Sequence, residues 1–300
     1  MDRRLLLQAL GGMAASALCK AGSAQAQRVM AKKIPSTGEA LPVIGVGTWQ
    51  TFDVGADAAA RPQLREVLRL LSGNVVDSSP MYGTSETVAG ELIAELGARD
   101  KLFMATKVWT RGREEGIRQM ETSFKRLRVQ RMDLMQVHNL TDVETQTKTL
   151  LEMKSQKKIR YLGITHYTSS AYGEVERWLR TRQYDFLQIN YSLGERESEN
   201  RLLPMALDQK VAVIINRPFA EGALFRKTKN KPLPPWAAEL GIHSWAQYFL
   251  KWIVSHPAVT CAIPGTGNPK HMQDNLGAGT GKLPSAQQRK QMAEYFDAQG

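Results

Sequence analysis

Cysteine is scarce in this chain of 300 residues: there are two, Cys19 and Cys261. The first lies in a leader-like segment, so a processed chain would keep one thiol and could form no internal disulfide. Metal-ligand spacing is also missing. His138, His166, His243, His256 and His271 are scattered, and one thiol cannot build a thiolate cluster, so no metal site is expected. No apolar run is long enough to span a bilayer once the leader is gone. The fingerprint Gly-x-Gly-x-x-Gly is absent from the mature chain, because Gly45-x-Gly47 is followed by Gln50 where the third glycine belongs. That argues against a separate Rossmann domain. There is no Gly-x-Ser-x-Gly elbow for a serine hydrolase.

What is present begins with charge. The formal net charge is +11, but lysine and arginine are spread along the whole length rather than bunched in an arm. This suits a solvated surface with a local anion pocket better than a nucleic-acid partner. At the start, Arg3-Arg4 precede Leu5-Leu6-Leu7, a mild Ala/Gly-rich run to Leu18, then Lys20 and Ser23-Ala24-Gln25-Ala26. Basic start, short apolar middle and small-residue end make a signal peptide over residues 1–26. The paired arginines and weak hydrophobicity favour the twin-arginine route, which exports folded proteins; an ordinary Sec signal is the other reading. Cys19 follows Ser16-Ala17-Leu18, which is no lipobox, so no stable membrane anchor is expected. Cleavage after Ala26 removes three positive charges and one negative, leaving +9. A periplasmic location with the twin-arginine machinery as a partner follows as an expectation.

Residues 27–300 read as one domain. Apolar, β-branched runs begin near Val43, Asn74, Leu102, Met132, Ile159, Asp185, Val211 and Val259, with helical patterns between them. A strand–helix unit of about 30 residues repeated eight times predicts a single (β/α)8 TIM barrel. Leu64, Val67, Leu68 and Leu71 share one helix face, and Val88, Leu92, Ile93 and Leu96 another. Val29 to Val43 reads as an N-terminal hairpin that plugs the barrel bottom, and Pro284 to Gly300 as a final C-terminal helix. Phe219 to Ile242, polar and Pro-rich, reads as a flap over the rim.

Polar residues close several of the apolar runs. Asp77 ends one, Lys107 the next and His138 the next, and Tyr82 stands five residues after Asp77. Strand ends of a parallel barrel open onto one rim, where active sites are built. Reducing a carbonyl needs a hydride and a proton. Tyrosine is a weak acid, with a reference pKa of about 10. A neighbouring ammonium favours the phenolate. A carboxylate keeps that lysine charged and placed, and a histidine can position the substrate oxygen.

Asp77-Ser78-Ser79-Pro80-Met81-Tyr82-Gly83, Ala105-Thr106-Lys107 and Gln136-Val137-His138 resemble the tetrad segments of the aldo-keto reductase superfamily. The opening Gly45-Val46-Gly47-Thr48-Trp49 and the closing Ile263-Pro264-Gly265-Thr266 are similar to it as well. The resemblance implies Tyr82 as general acid, Lys107 as its tuning partner, Asp77 as the partner of Lys107, and His138 as the group that orients the carbonyl. It implies NADPH, with NADH possible, lying extended across the rim.

In that pattern Gln188, Thr165 and His166 would hold the nicotinamide carboxamide, His166 standing where the family usually has asparagine. Asn216-Arg217-Pro218-Phe219 replaces the usual Tyr-Ser-Pro-Leu, so the stacking aromatic is missing at Asn216. Arg217 either meets the pyrophosphate or makes a surface ion pair. Asn268-Pro269 opens a helix whose N-terminus suits phosphate. Thr266, Lys270 and His271 would surround the adenosine 2′-phosphate and Asn275 the adenine, with Gly265 also on the cofactor. Trp49, Phe52 and Trp109 resemble the family's pocket walls for a small carbonyl, with rim packing the other reading.

Two functions follow as expectations. One is an NADPH-dependent reductase of aldehydes or ketones, with hydride from nicotinamide and proton from Tyr82. The other is a periplasmic binding or accessory protein on the same scaffold with eroded cofactor use. A monomer is expected.

Overall fold

A computed structural model describes residues 29–299. The signal-peptide reading of residues 1–26 lies outside them. The first element is an antiparallel hairpin of β1 (Ala31–Lys33) and β2 (Ala40–Pro42), with Ala31 opposite Pro42. Its turn runs through Gly38 at φ +78°, a backbone conformation that glycine adopts without strain.

Eight parallel strands follow: β3 (Val46–Gly47), β4 (Val75–Asp77), β5 (Phe103–Val108), β6 (Met132–His138), β7 (Ile159–Thr165), β8 (Phe186–Asn190), β9 (Ala212–Asn216) and β10 (Val259–Ala262). They pair in sequence order, and bridges from Ile44 to Ala262 and from Gly47 to Gly265 join the two edges. The result is a (β/α)8 barrel. Its strands are buried on both faces, which is why they read as near-continuous apolar runs. The strand starts lie within three residues of the sequence expectation, the largest offset being β3, where closure leaves a two-residue strand.

Alternate residues point into the lumen. Phe103, Leu134, Tyr161, Phe186 and Ile214 form an interior cluster with Ile34 and Leu41 of the hairpin. The hairpin therefore plugs the bottom, as its place before the first strand suggests. Lys32 Nζ fastens it by donating to the carbonyls of His256 (2.7 Å) and Val259 (2.6 Å). The Tyr161 hydroxyl donates to Glu39 at 2.6 Å, and Arg160 pairs with the same carboxylate.

The helices wrap the barrel. α1 (Arg61–Arg69) buries Leu64, Val67 and Leu68, and α2 (Ser85–Glu95) buries Val88, Leu92 and Ile93. α3 (Arg113–Arg126), α4 (Val143–Ser155), α5 (Tyr172–Leu179) and α6 (Leu202–Asp208) continue the ring. α7 (Ala223–Lys227), α8 (Trp245–Val254), α9 (Pro269–Gly277) and α10 (Ala286–Asp297) complete it. α10 opens on a capping box between Ser285 and Gln288 and buries Met292 and Phe296. Among the described residues no helix is long and apolar enough to cross a membrane.

The segment from Phe219 to Ile242, expected as a flap over the rim, is packed against the barrel rather than loose. It contains α7 and a 3-10 turn at Pro235–Leu240, and Leu224, Ala237, Leu240 and Ile242 join the main core. The buried Lys251 ties it down by donating to the carbonyls of Leu240 (2.6 Å) and Thr280 (2.9 Å). Its apolar anchors sit on short, separate turns, so no single period advertises them.

Candidate active site

β4, β5 and β6 deliver Asp77, Lys107 and His138 to the upper lumen in register. Asp77 lies beside Ala105, Lys107 beside Gln136, and His138 beside Thr165. Tyr82 is carried by the turn after β4, where its N–H donates to the Ser79 carbonyl at 3.0 Å. Lys107 Nζ donates to Asp77 Oδ2 at 2.6 Å and to the Ser78 carbonyl at 2.7 Å. The same ammonium lies 4.9 Å from the Tyr82 ring centroid. The Tyr82 ring and the His138 imidazole meet edge to face, with centroids 5.9 Å apart. All four residues named from the sequence thus converge.

Burial governs their protonation. It pushes the Tyr82 phenol up from its ordinary value, and Lys107 pulls part of that shift back. Burial also lifts the Asp77 carboxyl, opposed by Lys107 and by the amides of Gln188 and Gln136. Burial alone would lower Lys107, but the Asp77 carboxylate leads the effects that overcome it and the net direction is up. His138 is held down at about 2, by burial first and then by the charge of Lys107. A protonated phenol, a charged lysine and a neutral imidazole therefore share the rim. The sequence expectation that Lys107 lowers Tyr82 holds for the contribution of Lys107, while burial sets the net sign. A phenol held up by burial is a proton donor that stays loaded at neutral pH.

Three participants were missed from sequence. Gln136 Nε2 donates to Gln188 Oε1 at 2.7 Å and to Asp77 Oδ1 at 3.3 Å, while Gln188 Nε2 donates to Asp77 Oδ2 at 3.3 Å. The two amides thus hold the carboxylate from the far side of the lumen. Gly163 beside Gln136 leaves them room: a Cβ there would meet the Phe186 carbonyl oxygen at 2.8 Å and Gln136 Cγ at 3.3 Å. Ser79 Oγ lies 3.0 Å from His138 Nδ1. The signal available was alternation, because Leu134, Gln136 and His138 occupy every second place on β6 and must share a face.

Thr165 is buried between His138 and Gln188 on the neighbouring strands. Gln188 turns its amide into the lumen. His166 stacks on Tyr167 with ring centroids 5.5 Å apart. Asn216 Nδ2 donates to the His166 carbonyl at 3.1 Å, and Asn216 Oδ1 is buried without a partner. Arg217 lies between Glu195 (3.5 Å) and Glu221 (3.4 Å) and donates to the Tyr167 carbonyl, so its guanidinium is engaged by protein carboxylates, which favours the ion-pair reading. Gly265 follows β10 and is exposed; Thr266 is buried and accepts from the Asn268 N–H at 3.1 Å. The Asn268 side chain caps α9, where Lys270 and His271 are exposed on the first turn and Asn275 is buried on the next.

Trp49 and Trp109 are exposed at 45% and 42%, and the Trp109 ring lies 6.5 Å from the His138 ring. Phe52 is a correction: it is fully buried in the main core, so it packs behind the rim and walls no pocket.

The donor set suits a nicotinamide dinucleotide. The orphaned Asn216 Oδ1 could accept from a carboxamide N–H, and α9 presents a capped N-terminus with a lysine to a phosphate.

A parallel barrel whose rim carries a buried lysine–carboxylate pair under a protonated tyrosine defines an enzyme class, one that moves a proton together with a reduction. The chain belongs to the aldo/keto reductase family, whose model matches residues 43–294, and is therefore an NAD(P)H-dependent oxidoreductase. It is 31% identical to methylglyoxal reductase YeaE of Escherichia coli (strain K12) over 270 residues, covering 85% of this chain and 92% of the relative. It is 27% identical to an NADH-specific methylglyoxal reductase of the same organism, covering 89% and 99% of the two chains. Among solved structures, the aldo/keto reductase from Klebsiella pneumoniae in complex with NADP and acetate superposes with TM-score 0.73 at 26% identity, covering 86% and 93%.

Proposed function

We propose that this protein reduces small aldehydes or ketones to alcohols with NADPH, NADH being usable, and that Tyr82 supplies the proton. The observation that carries the reading is the buried Lys107–Asp77 pair at 2.6 Å with its ammonium 4.9 Å from the Tyr82 ring. A bound nicotinamide would supply the hydride. The chain's own residues do the rest. His138, neutral, hydrogen-bonds the carbonyl oxygen and fixes its place beside the Tyr82 hydroxyl. Tyr82 protonates that oxygen as negative charge grows on it. Lys107 stabilises the phenolate left behind, and Asp77 keeps Lys107 charged inside the lumen.

Thr165, His166, Gln188 and Asn216 line the carboxamide end, and Thr266, Lys270, His271 and Asn275 the adenosine end. Solved relatives hold NADP or NADPH. Two relatives are methylglyoxal reductases, so the substrates proposed are small aldehydes and α-dicarbonyls. The exposed Trp49 and Trp109 give that mouth apolar sides. The Arg3-Arg4 leader supports export by the twin-arginine route to the periplasm.

The test is NADPH oxidation by residues 27–300 against a panel of such carbonyls, with Tyr82→Phe in parallel. Turnover in the native chain, lost in the variant while NADPH binding persists, is expected. Equal turnover in both would remove Tyr82 from its role.

A further inference from the structure

We propose that Ser79 is a positioning residue that sets the tautomer of His138, so that the imidazole hydrogen resides on Nε2. This rests on the reductase reading above, in which His138 must donate to the substrate oxygen.

Ser79 is fully buried in the turn that follows β4. Its Oγ has two hydrogen-bond neighbours among the described contacts. One is the backbone N–H of Met81, which approaches at 3.4 Å; the other is His138 Nδ1, at 3.0 Å. An N–H can only donate, so Met81 uses Oγ as an acceptor. The hydroxyl hydrogen then has one acceptor left, Nδ1 of His138. With Nδ1 accepting, a neutral imidazole carries its hydrogen on Nε2. The opposite tautomer would give Ser79 Oγ two donors and leave its buried hydroxyl hydrogen without an acceptor.

The imidazole is neutral because it is buried beside the Lys107 ammonium, so a charged ring donating from both nitrogens does not replace this arrangement. The direction of each hydrogen bond is thus fixed from the backbone outward: Met81 N–H to Ser79, Ser79 O–H to Nδ1, and Nε2–H left for the ligand. The same turn carries Tyr82, whose N–H donates to the Ser79 carbonyl at 3.0 Å. One residue therefore braces both the proton donor and the hydrogen-bond donor of the reaction.

The experiment is a long-range proton–nitrogen NMR correlation on the 27–300 chain with 15N-labelled histidine, the His138 signals being assigned by their loss in His138→Gln. The native spectrum is expected to show a protonated Nε2 and a bare Nδ1. In Ser79→Ala the signals should move toward a mixture, with kcat about tenfold lower and NADPH affinity unchanged. Ser79→Thr, which keeps the hydroxyl, should retain the native tautomer. A native spectrum with the hydrogen on Nδ1 overturns the proposal, and so does Ser79→Ala with unchanged tautomer and turnover. If Ser79→Ala does not fold, the native spectrum decides alone. A native chain that reduces no carbonyl removes the reductase reading, while the spectrum still judges the tautomer.

Discussion

Lys107 Nζ sits 2.6 Å from Asp77 Oδ2, and both side chains are closed to solvent. A pair held this way is easy to break and hard to replace, because either partner left alone is an uncompensated buried charge.

Asp77→Asn and Lys107→Met should each lower stability by about 3–5 kcal/mol, since each strands the other charge. Combining them should recover a good part of that loss. Activity should not follow: all three variants should lose more than about a hundredfold in kcat, because Tyr82 has either lost the Lys107 ammonium or kept one that Asp77 no longer holds in place. Urea unfolding and NADPH oxidation on the same preparations separate the two effects. A double variant no more stable than the worse single one would contradict the pairing argument.

His138 stays neutral down to about pH 2 in the folded chain, whereas an unfolded histidine titrates near 6.5. Between those values the unfolded chain binds the extra proton, so stability falls as pH falls below about 6.5, by up to about 1.4 kcal/mol per pH unit. On going from pH 7 to 5 the native protein should lose up to about 2 kcal/mol more than His138→Gln. Urea midpoints at the two pH values give the comparison, and equal losses would count against a buried neutral imidazole.

Gly163→Ala places a methyl 2.8 Å from a backbone carbonyl oxygen and 3.3 Å from Gln136 Cγ. The carbonyl belongs to β8 and cannot step aside alone, so a cost of about 1–3 kcal/mol is expected. Because the displaced side chain is Gln136, kcat should drop as well, through a less firmly held Asp77. A drop in thermal midpoint with unchanged kcat would show that the Gln136 contact does not reach the chemistry.

Leu41→Ala tests the other end of the barrel. Leu41 is buried in the lumen cluster under the strands. Its truncation should cost about 2–5 kcal/mol while leaving kcat per folded molecule unchanged. Active-site titration alongside a thermal melt checks this; a change in kcat would mean that the plug communicates with the rim.

The barrel and its candidate tetrad were legible because parallel strands advertise themselves as apolar runs, three of the four side chains end one of them, and Tyr82 follows the first by five residues. Asp77, Lys107, Tyr82 and His138 needed no pairing information. Gln136 was hidden for the same reason: one amide inside Leu134-Met135-Gln136-Val137 looks like a tolerated polar residue until the cross-lumen partners Gln188 and Asp77 are known. Ser79 was quoted as part of a motif, but its tie to His138 joins two strand ends that only register brings together. Phe52 misled because an aromatic after a strand can face a ligand or a core, and local sequence does not choose. The engagement of Arg217 by Glu195 and Glu221 depended on a contact across separate loops. The wall from Phe219 to Ile242 hid its anchors behind lysines and prolines.

The hairpin has a consequence for the timing of turnover. Ile34 and Leu41 stop the lower lumen with hydrocarbon, and the Lys107–Asp77 pair above them touches no solvent. Hydrocarbon thus closes the lumen beneath the pair. On the proposed reading, the hydrogen that Tyr82 gives away returns through the mouth by which the alcohol departs. A single doorway makes recharging the acid wait for product release, so a slow-leaving alcohol would also delay the proton that prepares the next cycle.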